Sequence, residues 1–127
     1  MRVYVDSDIL IWHLRGESRA ASLFRRLTKQ TGVDLWTGAL QRAEVVFFMR
    51  PEEESPTLAF LSRFKTEPVT QEVVDVAGRM YREWHASHGI DVNDAILAAT
   101  AVLTGGSIYT LNTKHYPMSE VAVIKAW

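Results

Sequence analysis

Hydrophobic positions along the chain switch repeatedly between the period of a strand and that of a helix. Val3-Tyr4-Val5 is a short apolar run, of the kind buried on both faces in a parallel sheet. It leads straight into Asp6-Ser7-Asp8, and the apolar residues that follow predict a short helix over 9–14, stopped at Gly16. Ser18 is placed to cap a second helix carrying Ala21, Leu23, Phe24 and Leu27, ending near Gly32. The alternation in 33–37 predicts a second strand. A third helix is expected from about Gly38 to Met49. Its apolar stripe would be Leu40, Ala43, Phe47 and Phe48, with Glu44 inside that stripe.

Pro51 and the glutamates after it mark a turn, and Ser55-Pro56 is a cap and first-turn pair for a fourth helix through Phe64. Residues 67–69 read as a brief extended piece. Thr70 opens the longest helix, with Val73, Val74, Ala77, Met80, Tyr81 and Trp84 at helical spacing and a stop at Gly89. Segment 94–103 is Ala-rich and apolar nearly all round, which predicts a buried helix. Gly105-Gly106 breaks it, and 107–111 and 121–124 supply two more strands. Strands alternating with helices predict one α/β domain over 1–127, a mainly parallel sheet between two helix layers.

Composition narrows the chemistry. A chain of 127 residues, 47% hydrophobic and 23% charged, is a globular domain that buries about two-thirds of its unfolded surface. There is no cysteine, which excludes disulfides, thiolate zinc sites and a cysteine nucleophile. Absence of cysteine fits a reducing cytoplasm, the expected location. No signal peptide and no apolar run long enough to span a membrane are apparent. The net charge of −1 lacks the basic excess of most nucleic-acid binders. It leaves room for an enzyme whose carboxylates are neutralised locally by bound metal.

Three acids then stand out. Asp6 falls at the carboxyl end of the first strand, where open α/β sheets bind ligands. Ser7 or Asp8 suffices to cap the helix behind it, so Asp6 is the surplus carboxylate. Glu44 faces an apolar stripe, which is costly unless the acid is paired or holds a cation. A salt bridge to Arg42 or Arg50 is the plain alternative. Asp94 sits in the first turn of the buried helix, where the dipole favours its ionised form, with Asn93 or Asp91 available as cap. Asn112 would leave its strand at the same sheet end as Asp6, and Thr110 could add a hydroxyl there. Each residue alone has a structural explanation, as a cap or a turn residue. Together the acids point to one end of the sheet, where they repel and protonate unless a cation holds them. Oxygen-only ligands select Mg2+ or Mn2+, and such a centre suits phosphodiester hydrolysis. His13, His85 and His88 are expected at solvated helix positions or as complements to helix C-terminal dipoles, and His115 on a surface loop, where it could approach a substrate phosphate. Arg15 and Arg42 could form a basic rim, and the helical Trp and Phe residues are expected in the core.

At this point the chain resembles the PIN-domain ribonucleases, and specifically the VapC-type toxins of toxin–antitoxin pairs. The matching stretches are Val3-Tyr4-Val5-Asp6-Ser7-Asp8-Ile9-Leu10, Ala43-Glu44, Asp94-Ala95-Ile96-Leu97-Ala98-Ala99-Thr100-Ala101 and Tyr109-Thr110-Leu111-Asn112. The resemblance implies a PIN-like three-layer α/β/α domain and a Mg2+- or Mn2+-dependent endoribonuclease. Asp6, Glu44 and Asp94 would be its metal ligands and Asn112 a fourth catalytic position, with Ser7, Asp8 and Thr110 in support. It also implies an RNA substrate, a cognate antitoxin and a homodimer. Asp8 stands where the family more often has Asn, and Asn112 where many members carry a fourth acid.

Two other readings compete. A haloacid-dehalogenase-like phosphatase also places Asp-x-Asp after an apolar strand, with Asp6 as nucleophile and Asp8 as acid and base. The later acidic pair that chemistry needs is missing after 107–111. Alternatively, the chain is a catalytically weak domain of the same fold that acts as a partner-binding module. The phosphatase needs Asp8 for catalysis, whereas the nuclease treats it as a rim residue.

Overall fold

The computed structural model describes residues 1–127. Five strands form one sheet: β1 (Arg2–Val5), β2 (Asp34–Gly38), β3 (Lys65–Glu67), β4 (Ser107–Thr110) and β5 (Ala122–Lys125), in the order β3-β2-β1-β4-β5, all parallel. Six helices connect or flank them: α1 (Ser7–Leu14), α2 (Ser18–Lys29), α3 (Ala39–Val46), α4 (Glu54–Leu61), α5 (Gln71–His88) and α6 (Val92–Thr104). The architecture is the three-layer α/β/α arrangement that the pattern implied.

The alternation of β1 divides the core in two. Val3 and Val5 join the side chains of α1, α2 and α4, including Leu10, Leu23, Leu27 and Leu61, on one face. Tyr4 points to the other face, among Ala77, Met80, Leu97, Ala98 and Ile108, where α5 and α6 pack. From β1 the chain steps outward to β2 and β3, then crosses back to β4 on the far side of β1. Right-handed crossovers in opposite directions lay their helices on opposite faces. Reversal of strand order between β1 and β4 opens a crevice at their carboxyl ends, the place where such sheets bind ligands.

Several local expectations shift. Helix α1 begins two residues earlier than the apolar run, because Asp6 itself is the N-cap and accepts from Ser7 N at 2.8 Å. Helix α3 ends at Val46, and Phe47 and Phe48 are 78% and 81% exposed. The buried residues of α3 are Gln41 and Val45, so the predicted stripe through Phe47 and Phe48 is wrong. A 3-10 turn over Pro51–Glu53 feeds directly into α4, so Ser55 lies inside the helix instead of capping it. The extended piece is Lys65–Glu67, paired with β2 ahead of Pro68, which has no N–H to donate. Val74, assigned to the apolar stripe of α5, is exposed. His13 is not solvated: its ring stacks on Phe60 with centroids 4.3 Å apart and meets Phe24 edge-on.

Phe47→Ser should therefore change stability by no more than about 0.5 kcal/mol. Phe60→Ala, inside the cluster of His13, Phe24 and Phe64, should cost about 3–5 kcal/mol. Urea unfolding of the two variants measures both, and similar losses would return Phe47 to the core.

Candidate active site

Asp6 is the fixed point. Its N–H still bonds to Tyr109 O of β4 at 3.0 Å, so the carboxylate leaves the sheet at the β1–β4 crevice. The side chain is buried and carries three donors: Ser7 N on Oδ1 at 2.8 Å, and Thr110 Oγ1 and Tyr116 OH on Oδ2 at 2.9 and 2.8 Å. Asp8, two residues on, is half-buried. Its Oδ1 accepts from Ile9 N at 2.7 Å and its Oδ2 from Leu111 N at 3.0 Å, with Thr110 Oγ1 at 3.3 Å. Asp8 is thus fastened to the end of β4 and is not a free rim group. The phosphatase reading would need Asp8 to move a proton, whereas here each of its oxygens accepts a main-chain N–H, the pattern of an anchored carboxylate.

Glu44 arrives from the middle of α3, half-buried. Ser7 Oγ donates to its Oε2 at 2.7 Å and Asn93 Nδ2 to its Oε1 at 2.8 Å. No lysine or arginine pairs with it, so the salt bridge weighed against a site role is not formed. Asp94 is the N3 residue of α6, in a reciprocal capping box with Asp91 as N-cap rather than Asn93. Asp91 N donates to Asp94 Oδ2 at 3.1 Å, and His115 Nδ1 lies 3.2 Å from the same oxygen. Tyr116 OH is 3.4 Å from Asp94 Oδ1. Asn112 is exposed, and its side chain bonds to none of these acids; its N–H donates to Thr110 Oγ1 at 3.0 Å.

Tyr116 escaped the sequence altogether, and Asn93 and His115 were read only as a cap and a loop residue. The three act on partners 21 to 110 residues away along the chain, which no local pattern shows. Only the Asp91-x-x-Asp94 spacing carried a readable signal, that of a capping box.

The electrostatics follow from burial among like charges. Burial, with neighbouring Asp8 adding, pushes Asp6 up to about 6 from 3.8, although its three donors oppose the shift. Burial, with Asp91 and Asp6 adding their charge, pushes Asp94 up to about 7 from 3.8. Burial raises Asp8 too, and desolvation beside Asp6 and Asp94 raises the Tyr116 phenol well above its ordinary value. The only basic side chain in contact with the cluster is the His115 imidazole. Four carboxylates surrounded mainly by neutral donors concentrate negative charge at this end of the sheet. The donors are oxygens, the kind that suit a hard divalent ion. As arranged, no three acidic or imidazole groups converge closely enough to hold an ion.

A PIN-domain family model matches residues 3–122. The chain belongs to the PIN-domain family. This PIN domain is 35% identical over 115 residues to the ribonuclease VapC19 of Mycobacterium tuberculosis, covering 90% of this chain and 91% of that protein. It is 34% identical over 119 residues to ribonuclease VapC10 of the same species, covering 93% and 88%. Among solved structures it is similar to VapBC-1 from nontypeable Haemophilus influenzae, with TM-score 0.80 at 17% identity over 99% of this PIN domain and 98% of that chain. A toxin–antitoxin complex from Klebsiella pneumoniae gives TM-score 0.79 at 21% identity, covering 98% of each chain. At those identities the likeness speaks for the fold.

The raised acids make the metal-free protein pH-sensitive. A group whose folded pKa lies above its unfolded value stabilises the fold below the unfolded pKa, and that stabilisation is lost as pH rises through the folded pKa. In EDTA, stability should therefore fall between about pH 4 and pH 8, by up to about 7 kcal/mol if both shifts are realised in full and by less where solvent screens Asp94. Urea midpoints across that range measure it. Asp94→Asn should flatten the profile, and a midpoint that rises with pH would contradict the assignment.

Proposed function

We propose that this PIN domain is the toxin component of a toxin–antitoxin pair, an endoribonuclease that hydrolyses RNA phosphodiester bonds with Mg2+ or Mn2+. The observation that carries the reading is the gathering of Asp6, Asp8, Glu44 and Asp94 from β1, α1, α3 and α6 at the β1–β4 crevice without a lysine or arginine among them. Named ribonucleases at 34–35% identity over nearly the whole chain support it.

In this reading Asp6, Glu44 and Asp94 hold the ion, and each shares or gives up one of its present donors to do so. The ion, when bound, activates water and stabilises the leaving oxygen. The chain's own part is orientation. Ser7 Oγ and Asn93 aim Glu44, Thr110 Oγ1 aims Asp6, and the bonds from Ile9 N and Leu111 N hold Asp8 still beside them. Asn112, exposed beside Thr110, would meet the substrate or its water, and Arg15 shares a cavity wall with Glu44. Hydrolysis adds one water across a P–O bond, leaving a phosphate on one fragment and a hydroxyl on the other.

The partners belong to the same proposal: an RNA substrate, a cognate antitoxin that covers the site, a homodimer, and a cytoplasmic location. No helix is long and apolar enough to cross a membrane.

Purified, antitoxin-free protein is expected to cut structured RNA in Mg2+ or Mn2+ and to stop in EDTA. Asp6→Asn should lose several kcal/mol of transition-state stabilisation, about 100-fold or more in rate. Asp8→Asn should lose about tenfold or less, the scale of a supporting group. Gel assays of RNA fragments give both. Intact RNA across a broad panel would reject the nuclease. Turnover of a phosphate monoester that fails equally in both variants would restore the phosphatase.

A further inference from the structure

The turn after β4 carries two side chains that the reaction as described does not use, and both reach the acids. Thr113–His115 forms a 3-10 turn, with His115 N donating to Asn112 O and Tyr116 N to Thr113 O, each at 3.0 Å. Pro117 follows and disfavours helical backbone at Tyr116, whose φ of −127° and ψ of 64° end the turn. The Tyr116 ring then drops into the buried cluster of Tyr4, Ile90, Leu97 and Met118. Packing on all sides fixes the ring, so its hydroxyl is a rigid post with little freedom to move.

That post stands between two acids. It is 2.8 Å from Asp6 Oδ2 and 3.4 Å from Asp94 Oδ1. A phenol has one proton, and the shorter contact to Asp6 takes it. From the same turn, His115 lies against the other Asp94 oxygen at 3.2 Å. Asp6 and Asp94 come from β1 and α6, and nothing else links their carboxylates directly. Without the hydroxyl, Asp6 would lose one of its three donors and face Asp94 across the crevice with less to hold it in place.

We propose that Tyr116 is a positioning residue for the divalent cation: its hydroxyl fixes Asp6 by donating to it, His115 holds Asp94 from the same turn, and the turn thereby sets the separation of the two acids before the ion arrives. The inference rests on the metal-dependent reading above and adds a role for the turn that follows β4. Each carboxylate oxygen can accept more than one bond, so Asp6 can keep the Tyr116 hydroxyl while it ligates. Hydrogen-bond partners of metal ligands typically contribute 10–100-fold in metal affinity. A merely structural Tyr116 would contribute through its ring alone.

Tyr116→Phe separates the two roles, because it keeps the ring and removes the donor. Titration of the purified, antitoxin-free variant with Mn2+, followed by calorimetry and by the free-ion EPR signal, should show about tenfold weaker binding than wild type. RNA cleavage should fall at low Mn2+ and recover at high Mn2+, with circular dichroism unchanged. His115→Gln, on the half-exposed turn, should weaken Mn2+ binding in the same direction and by less. Equal or tighter Mn2+ binding by Tyr116→Phe overturns the inference and leaves the metal reading standing. Wild-type protein that takes up no Mn2+ overturns both.

Discussion

Four carboxylates at one end of a parallel sheet repel one another, and the fold answers that repulsion with hydrogen-bond donors instead of positive charge. Main-chain N–H groups of Ser7, Ile9, Asp91 and Leu111, hydroxyls of Ser7, Thr110 and Tyr116, and the Asn93 amide supply nearly all the contacts. A neutral donor steadies an acid by about 1 kcal/mol, whereas an unpaired buried charge costs several. The donors fix geometry without cancelling charge, so burial, with the neighbouring acids adding, still pushes Asp6 up to about 6 and Asp94 up to about 7. A lysine in the same place would satisfy the acids and close the centre to any ion.

Strand order makes this gathering possible. Because the chain moves outward from β1 to β3 and then returns to β4, the carboxyl ends of β1 and β4 lie side by side with no connecting helix over them. Asp6 and Thr110 leave the sheet there as neighbours. Helices α3 and α6 meet near the same end, where buried Gln41 reaches Asn93 O at 3.4 Å. Glu44 and Asp94 are carried inward by that packing, one from each face of the sheet.

Much of this was legible in the sequence, for uneven reasons. Asp6 and Asp94 mark changes of period, strand to helix and loop to helix, and such changes are strong local signals. Glu44 was singled out by an argument that fails: the stripe that framed it ran through Phe47 and Phe48, which lie beyond the end of α3 in solvent. Phenylalanine at a helix end has the same local appearance whether it turns inward or outward, and only the neighbouring elements decide. Asn112 was read as a contributor through position alone, yet its main chain does the visible work while Thr110, His115 and Tyr116 supply the side chains. Those contacts depend on tertiary closure, so spacing along the chain could not announce them.

Closure also dictates when the centre comes into being. Strand β1 pairs with β2 early and locally, but its other neighbour, β4, lies about a hundred residues further along the chain. Contacts of that sequence separation form late in folding. Until β4 docks on β1, Asp6 lacks Thr110 and Tyr116 and Asp8 lacks Leu111. Residues 107–116 are thus the piece of chain that turns separate acids into one centre.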